Sequence, residues 1–250
     1  MDFRNRHIVV TGGAGALGTA VVVQLIDAGA VCHVPCMDEA EAARFRLRDH
    51  RQVKLTVTGS LADEAAIERL YRGVTPLWGS VHIAGGFAAA ALRDTELATI
   101  RQQFEMNLLS CMLCCRAAIR AMTGSATTVS ATTGSATTGG ATTGGGRIVN
   151  VAARPALEWR SGAGMTAYTV SKAGVAALTV ALAEEVAKDG ILVNAVAPSI
   201  MDTPANRQAM PKADHALWPK VEEVAATITF LASPENRVTR GAIVPVYGKS

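Results

Sequence analysis

Residues 167–174 read AYTVSKAG, placing a phenol, Tyr168, and an ammonium, Lys172, four positions apart. On a helix these two side chains lie on one face, one turn apart. A phenol beside a cation can give and take a proton near neutral pH, provided something nearby needs one. An amphipathic helix with an ordinary polar face contains the same pair. The spacing becomes informative only if the rest of the chain supplies a reaction.

A second stretch supplies it. TGGAGALG, residues 11–18, contains Gly13-Ala14-Gly15-Ala16-Leu17-Gly18, a G-x-G-x-x-G pattern preceded by Gly12. It follows the β-branched run HIVVTG and precedes an apolar helical stretch. Glycines there permit a tight turn and close approach of a pyrophosphate. The helix start adds free N–H groups and the positive end of its dipole. Its position at the first strand-to-helix turn of an alternating series favours a phosphate site over a turn that merely packs helix on strand.

The elements that must hold these residues alternate along the chain. Strands are expected at 7–12, 31–35, 53–58, 80–85, 147–152, 192–197 and 241–248. Helices are expected at 17–28, 38–48, 62–72, 96–122, 164–188 and 220–232. Such alternation predicts an α/β protein, a single doubly wound parallel-sheet Rossmann domain over residues 1–250. Residues 125–144 read SATTV SATTG SATTG GATTG, four copies of a five-residue unit. That period fits neither helix nor solenoid and carries nothing to build a core. The low-complexity segment 123–146 is read as a flexible insertion.

Composition excludes several classes. Hydrophobic residues make up 49% and charged residues 18%, with a net charge of +3. The densest basic stretch, RFRLRDHR at 44–51, mixes in an acid and a histidine and reads as a solvated face, so no nucleic-acid partner is expected. No stretch reads as a membrane span, and the N-terminus lacks the apolar core of a signal peptide. The five cysteines are an odd number, and Cys111, Cys114 and Cys115 have no second Cys/His pair at zinc spacing. They read as buried small hydrophobes in a reduced, cytoplasmic protein without a metal.

Taken in order, TGGAGALG, the Ala84-Gly85 of HIAGG, Asn107 in FEMNLLS, Tyr168 with Lys172, and NAVAPSIMDT at 194–203 resemble a short-chain dehydrogenase/reductase. The resemblance spans the chain apart from the repeat. It implies an NAD(P)-dependent oxidoreductase with a small-molecule substrate, working as a homodimer or homotetramer. Tyr168 would exchange the proton, Lys172 would lower its pKa, and Asn107 would hold a water in the relay. Gly12, Ala14, Gly15, Ala16, Leu17, Gly18, Cys36, Ser60, Leu61, Ala84, Gly85, Pro198, Met201 and Thr203, with Tyr168 and Lys172, would bind the cofactor. Phe87, Ala153, Met210 and Trp218 would face the substrate.

Departures from the family pattern are specific. Ala153 stands where a serine hydroxyl is usual, Ala16 replaces a glycine, Ser60 an Asp, and His82-Ile83 the usual Asn-Asn. Ser161 and Thr166 are the nearest hydroxyls in sequence to replace the serine. AARPALE at 152–158 and DTPANRQAMPKADHALW at 202–218 resemble the dihydropteridine reductase branch, which also carries Ala in place of Ser. Phe87 departs from that branch's Trp. A non-catalytic nucleotide-binding protein is the further alternative that Ala153 leaves open. The end of strand two is Cys36-Met37, with Asp38 read as the N-cap of the next helix. With neither carboxylate nor cation there, the choice between NADH and NADPH leans slightly to NADPH.

Overall fold

The structure, a computed structural model, describes the backbone of residues 1–132 and 145–250 and the side chains of 1–124 and 145–250. Among the described residues seven strands form one sheet: β1 (His7–Thr11), β2 (Val31–Cys36), β3 (Val53–Val57), β4 (Leu77–His82), β5 (Gly146–Val151), β6 (Ile191–Pro198) and β7 (Ile243–Val246). Every neighbouring pair is parallel, in the order β3-β2-β1-β4-β5-β6-β7. The order reverses between β1 and β4, where open sheets of this kind leave a crevice for ligands.

Alternation within each strand builds two cores. Ile8 and Val10 face one layer with α1 (Ala16–Asp27) and α8 (Val221–Ala232), whereas Val9 faces the other. Val149 and Val151 join the first core, and Ile148 the second. The second layer holds α3 (Glu64–Arg72), α5 (Ser110–Thr132) and α6 (Thr166–Glu185). Each Val, Ile or Leu buried this way contributes roughly 1.5–3 kcal/mol. The doubly wound α/β expectation is met.

Several boundaries differ from the sequence reading. The strand expected at 80–85 is Leu77–His82, because Gly79 pairs with both Ile8 and Arg147 and the chain leaves the sheet after His82. The helix expected at 38–48 is only α2 (Glu39–Arg44), because Phe45 adopts an extended backbone and buries in the α1-side core. The helix expected at 96–122 is three pieces: α4 (Leu97–Phe104), a π turn (Glu105–Leu109) and α5. α5 also runs past the start of the expected insertion, through Thr132. The flexibility expected for the remainder of the repeat, 133–144, lies outside the described residues. A short α7 (Pro204–Ala209) lies between β6 and α8, and the hydroxyl oxygen of its N-cap Thr203 accepts the Asn206 N–H.

Among the described residues one helix, α6, is long and apolar enough to cross a membrane, which the sequence reading passed over. It packs on the sheet through Val175, Ala176, Leu182 and Ala183 at helical spacing. The buried face of α6 includes Thr169, Lys172 and Thr179, so the core itself is partly polar.

Candidate active site

The turn between β1 and α1 is shaped by close backbone approach. Gly12 has φ +66°, and a Cβ there would lie 2.7 Å from the Ala84 amide nitrogen. A Cβ on Gly18 would collide with the Gly12 carbonyl. Gly15 is the N-cap of α1 with no side chain to cap it, and its own N–H bonds to Gly12 O at 3.1 Å. The helix start therefore stays open, with the first-turn residues Ala16, Leu17 and Gly18 forming a cleft wall.

That cleft, about 650 Å³, lies at the β1/β4 reversal. It is lined by Gly12, Gly15, Ala16, Leu17, Gly18, Cys36, Ser60, Leu61, Ala84, Gly85, Met201 and Thr203, all expected from sequence. Ala14 instead packs against the α1-side core, and Pro198 is buried at the end of β6. Glu41, Gln102, Glu105, Met106, Ser110 and Asn206 also line the cleft and were missed. Their contribution depends on where α2, the π turn and α7 land, which no local motif announces.

Asn107 is buried on the π turn and clamps the loop after β4. Its Oδ1 accepts from the Gly86 N–H at 3.0 Å, and its Nδ2 donates to the Gly86 carbonyl at 3.0 Å. A second donation reaches Gln103 Oε1 at 3.3 Å. The amide thus fixes the segment that carries Gly85. A Cβ on Gly85 would lie 2.5 Å from Asn107 Oδ1 and 3.3 Å from Lys172 Nζ, so the cleft meets both side chains at this residue.

Lys172 is buried and donates to the Val151 carbonyl at 2.8 Å. Desolvation lowers its pKa to about 8, opposed in part by Cys111. Tyr168 sits one turn earlier on α6, with the Phe87 ring edge-on at 5.0 Å. Burial pushes the phenol up to about 12. Desolvation is the cause of that shift.

Ala153 is buried where the chain leaves β5, with no hydroxyl to offer. Ser161 does not replace it, being exposed with its hydroxyl donated to the Glu158 carbonyl. Thr166 starts α6 and is half-buried. Met210 ends α7, and its carbonyl pairs with the His215 ring at 2.9 Å. Trp218 is buried against His215, ring centroids 4.6 Å apart. Phe87, Ala153, Tyr168, Lys172, Met210 and Trp218 are not among the residues that line the cleft.

Behind the pair lies a buried network that the sequence reading did not foresee. Thr179 donates to the Val175 carbonyl, so its oxygen accepts from Asn150 Nδ2 at 2.9 Å. Asn150 Oδ1 then faces His82 Nδ1 at 2.8 Å, which places the proton on that nitrogen. His82 Nε2 is left to accept from Ser80 at 2.8 Å, and Ser80 meets the Tyr71 hydroxyl at 2.7 Å. Cys111 and Cys115 are buried as expected but not as mere hydrophobes. Their sulfurs lie 3.3 and 3.6 Å from Asn150 Oδ1. His82, Cys111 and Cys115 place metal-capable atoms within 4.8 Å of one another, here engaged by Asn150. Thr11, His82, Asn150 and Ala195 stand level across the sheet, so the network braces the strand ends that frame the cleft.

A glycine-rich turn opens the cleft at the switch point of a doubly wound parallel sheet, and Lys172 lies behind Gly85 at one end of it. The short chain dehydrogenase family model matches residues 6–214. The (2S)-[(R)-hydroxy(phenyl)methyl]succinyl-CoA dehydrogenase subunit BbsD of Thauera aromatica is 29% identical, covering 99% of this chain and 97% of that protein. Cis-4-hydroxycyclohexanecarboxylate dehydrogenase of Sinomonas cyclohexanicum is 32% identical, covering 98% and 96%. A solved short chain dehydrogenase/reductase family protein superposes with a TM-score of 0.84 at 23% identity, covering 99% and 98%. The chain belongs to the short chain dehydrogenase family and is an oxidoreductase enzyme. Members of this family use NAD(H) or NADP(H) and act on small molecules.

Proposed function

We propose that this chain transfers hydride between a nicotinamide dinucleotide and a small polar carbonyl or conjugated imine, with Tyr168 as acid/base and Lys172 as its cation. The observation that carries the reading is Gly85, which lines the cleft and abuts both Asn107 and Lys172. A planar ring reaching along the cleft to Gly85 would therefore arrive beside the proton-transfer pair.

The glycine turn fits a pyrophosphate, because a Cβ at Gly12 or Gly18 would close the space that the turn leaves at the start of α1. Cys36, Ser60 and Leu61 would hold the adenosine end, and Ala84, Gly85, Met201 and Thr203 the nicotinamide end. The dinucleotide, when bound, supplies or accepts the hydride. Tyr168 moves the proton at the substrate's oxygen or nitrogen. A pKa pushed up to about 12 keeps the phenol protonated at neutral pH, the state that a donor needs in reduction. Lys172, fixed on Val151 O, keeps a positive charge beside that phenol. Asn107 acts by holding Gly86. Phe87, exposed and edge-on to Tyr168, faces the substrate.

Both relatives named above are, by name, dehydrogenases of hydroxy compounds, which is the reverse direction of the same chemistry. A cytoplasmic location accords with five buried, unpaired cysteines. A homodimer or homotetramer accords with Leu109, Met112, Val170 and Val180, exposed on the π turn, α5 and α6. Light scattering reads the subunit number.

The test combines the purified protein, NADH and NADPH with a panel of ketones, secondary alcohols and quinonoid dihydropterin. Tyr168→Phe is expected to lower turnover at least about 100-fold while dinucleotide affinity stays within about threefold. A variant that retains most of its activity would show that another group moves the proton.

A further inference from the structure

We propose that Glu41 makes this chain select a dinucleotide whose adenosine ribose carries a free 2′-hydroxyl, NAD(H), over one carrying a 2′-phosphate. The proposal rests on the dinucleotide reading above. In folds of this kind the ribose is read at the end of β2, about 20 residues beyond the glycine turn. Here those positions are Cys36, Met37 and Asp38, and Cys36 offers no charge.

The fold returns a carboxylate to this place from further along the chain. Asp38 caps α2 by accepting the Glu41 N–H at 2.7 Å, and Glu41 Oε2 accepts the Met37 N–H at 2.6 Å. This reciprocal arrangement is a variant of the capping box, sufficient to explain both acids as helix starters. Its consequence for the cleft is separate. One oxygen of Glu41 is pinned to the rim backbone, and the residue lines the cleft beside Cys36 and Met37. Asp38 and Glu39 add two more carboxylates to the same turn.

The field of these groups is already felt by a neighbour. Burial first, then Glu41, Asp38 and Glu39, push the Cys36 thiol up to about 11. A 2′-phosphate placed there would meet the same three charges. Among the described residues lining the cleft there is no Lys or Arg. A 2′-hydroxyl, by contrast, can donate to the second carboxylate oxygen, whereas a phosphate dianion can only accept. The sequence leaned to NADPH because position 36 carries no acid. The geometry points the other way because the acid arrives from position 41.

The test is equilibrium binding on the full-length protein, read by nucleotide fluorescence without turnover. NADH is expected to bind at least about tenfold more tightly than NADPH at low salt, and the ratio to narrow as salt screens the rim. Glu41→Gln keeps an oxygen to accept the Met37 N–H and removes the charge. It should shrink the ratio at least about threefold, chiefly by tighter NADPH binding. Competition by 5′-AMP and 2′,5′-ADP should show the same order. NADPH binding as tightly as NADH to the unaltered protein overturns the proposal. A folded Glu41→Gln with an unchanged ratio, or a ratio insensitive to salt, does the same. If neither nucleotide binds at millimolar concentration, the dinucleotide reading itself falls.

Discussion

Lys172 occupies a place that opposes its own charge, and replacing it by methionine measures that opposition. The side chain is 5% exposed, and burial lowers its pKa from 10.5 to about 8. At about 1.4 kcal/mol per unit, the charged form is disfavoured in the fold by about 3 kcal/mol at neutral pH. Methionine matches the chain length and brings no charge, but it abandons the bond to Val151 O, worth about 1–1.5 kcal/mol. Lys172→Met should therefore be about 1–2 kcal/mol more stable than the parent at pH 7, and inactive.

The pH dependence carries the sharper signature. The unfolded chain keeps this proton up to about pH 10.5, but the folded chain only to about pH 8. Between those values the unfolded state holds more protons, so the parent gains stability as pH rises. The penalty is complete below pH 8 and gone above pH 10.5. The variant lacks this dependence, so its advantage should be greatest at pH 7 and shrink at pH 9.5. Urea unfolding followed by circular dichroism at both pH values measures the difference, in which the other titrations cancel. A variant less stable than the parent at pH 7, or a gap independent of pH, would refute a desolvated ammonium at this position.

Two further substitutions probe the site. Ala153→Ser adds a hydroxyl where β5 leaves the sheet, and a well-aligned donor can stabilise developing oxyanion charge by about 2–3 kcal/mol. Ketone reduction should rise at least severalfold with pterin reduction unchanged or lower, and failure of the ketone rate to rise would mean that another donor already serves. Gly85→Ala drives a methyl to 2.5 Å from Asn107 Oδ1 and should weaken dinucleotide binding at least about tenfold in a folded protein. An unchanged dissociation constant would show that the ligand does not approach Gly85.

Legibility followed the range over which each feature is determined. TGGAGALG could be read directly, because Gly18 is required by the backbone of its own turn, although Gly12 is also held to glycine by the approach of Ala84 from the next strand's end. Tyr168 and Lys172 were legible because i,i+4 spacing on a helix is a local rule. Asp38 was rightly read as an N-cap, and the Asp38/Glu41 spacing is itself a local helix-start pattern, but that Glu41 lines the cleft follows only from where the end of β2 lies beside the glycine turn. The His82–Asn150 network joins strands 68 residues apart and has no sequence signal at all. Histidine, cysteine and asparagine each looked isolated until the parallel register set them level.

The π turn at Glu105–Leu109 has a consequence for how the site tolerates insertion and deletion. A π turn holds one residue more than the α-helical course would, and each helical residue advances the face by about 100°. The turn therefore sets the rotational phase between α4, which contributes Gln102 to the cleft, and α5, which presents Cys111 and Cys115 to Asn150. Removing a single residue here would let one continuous helix form, at little expense to backbone hydrogen bonding. It would also swing everything downstream by about a quarter turn, withdrawing either the Asn107 amide from Gly86 or the two thiols from the core. The irregular turn thus works as a mechanical spacer, and the length of this segment is constrained to the single residue although most of its side chains could change.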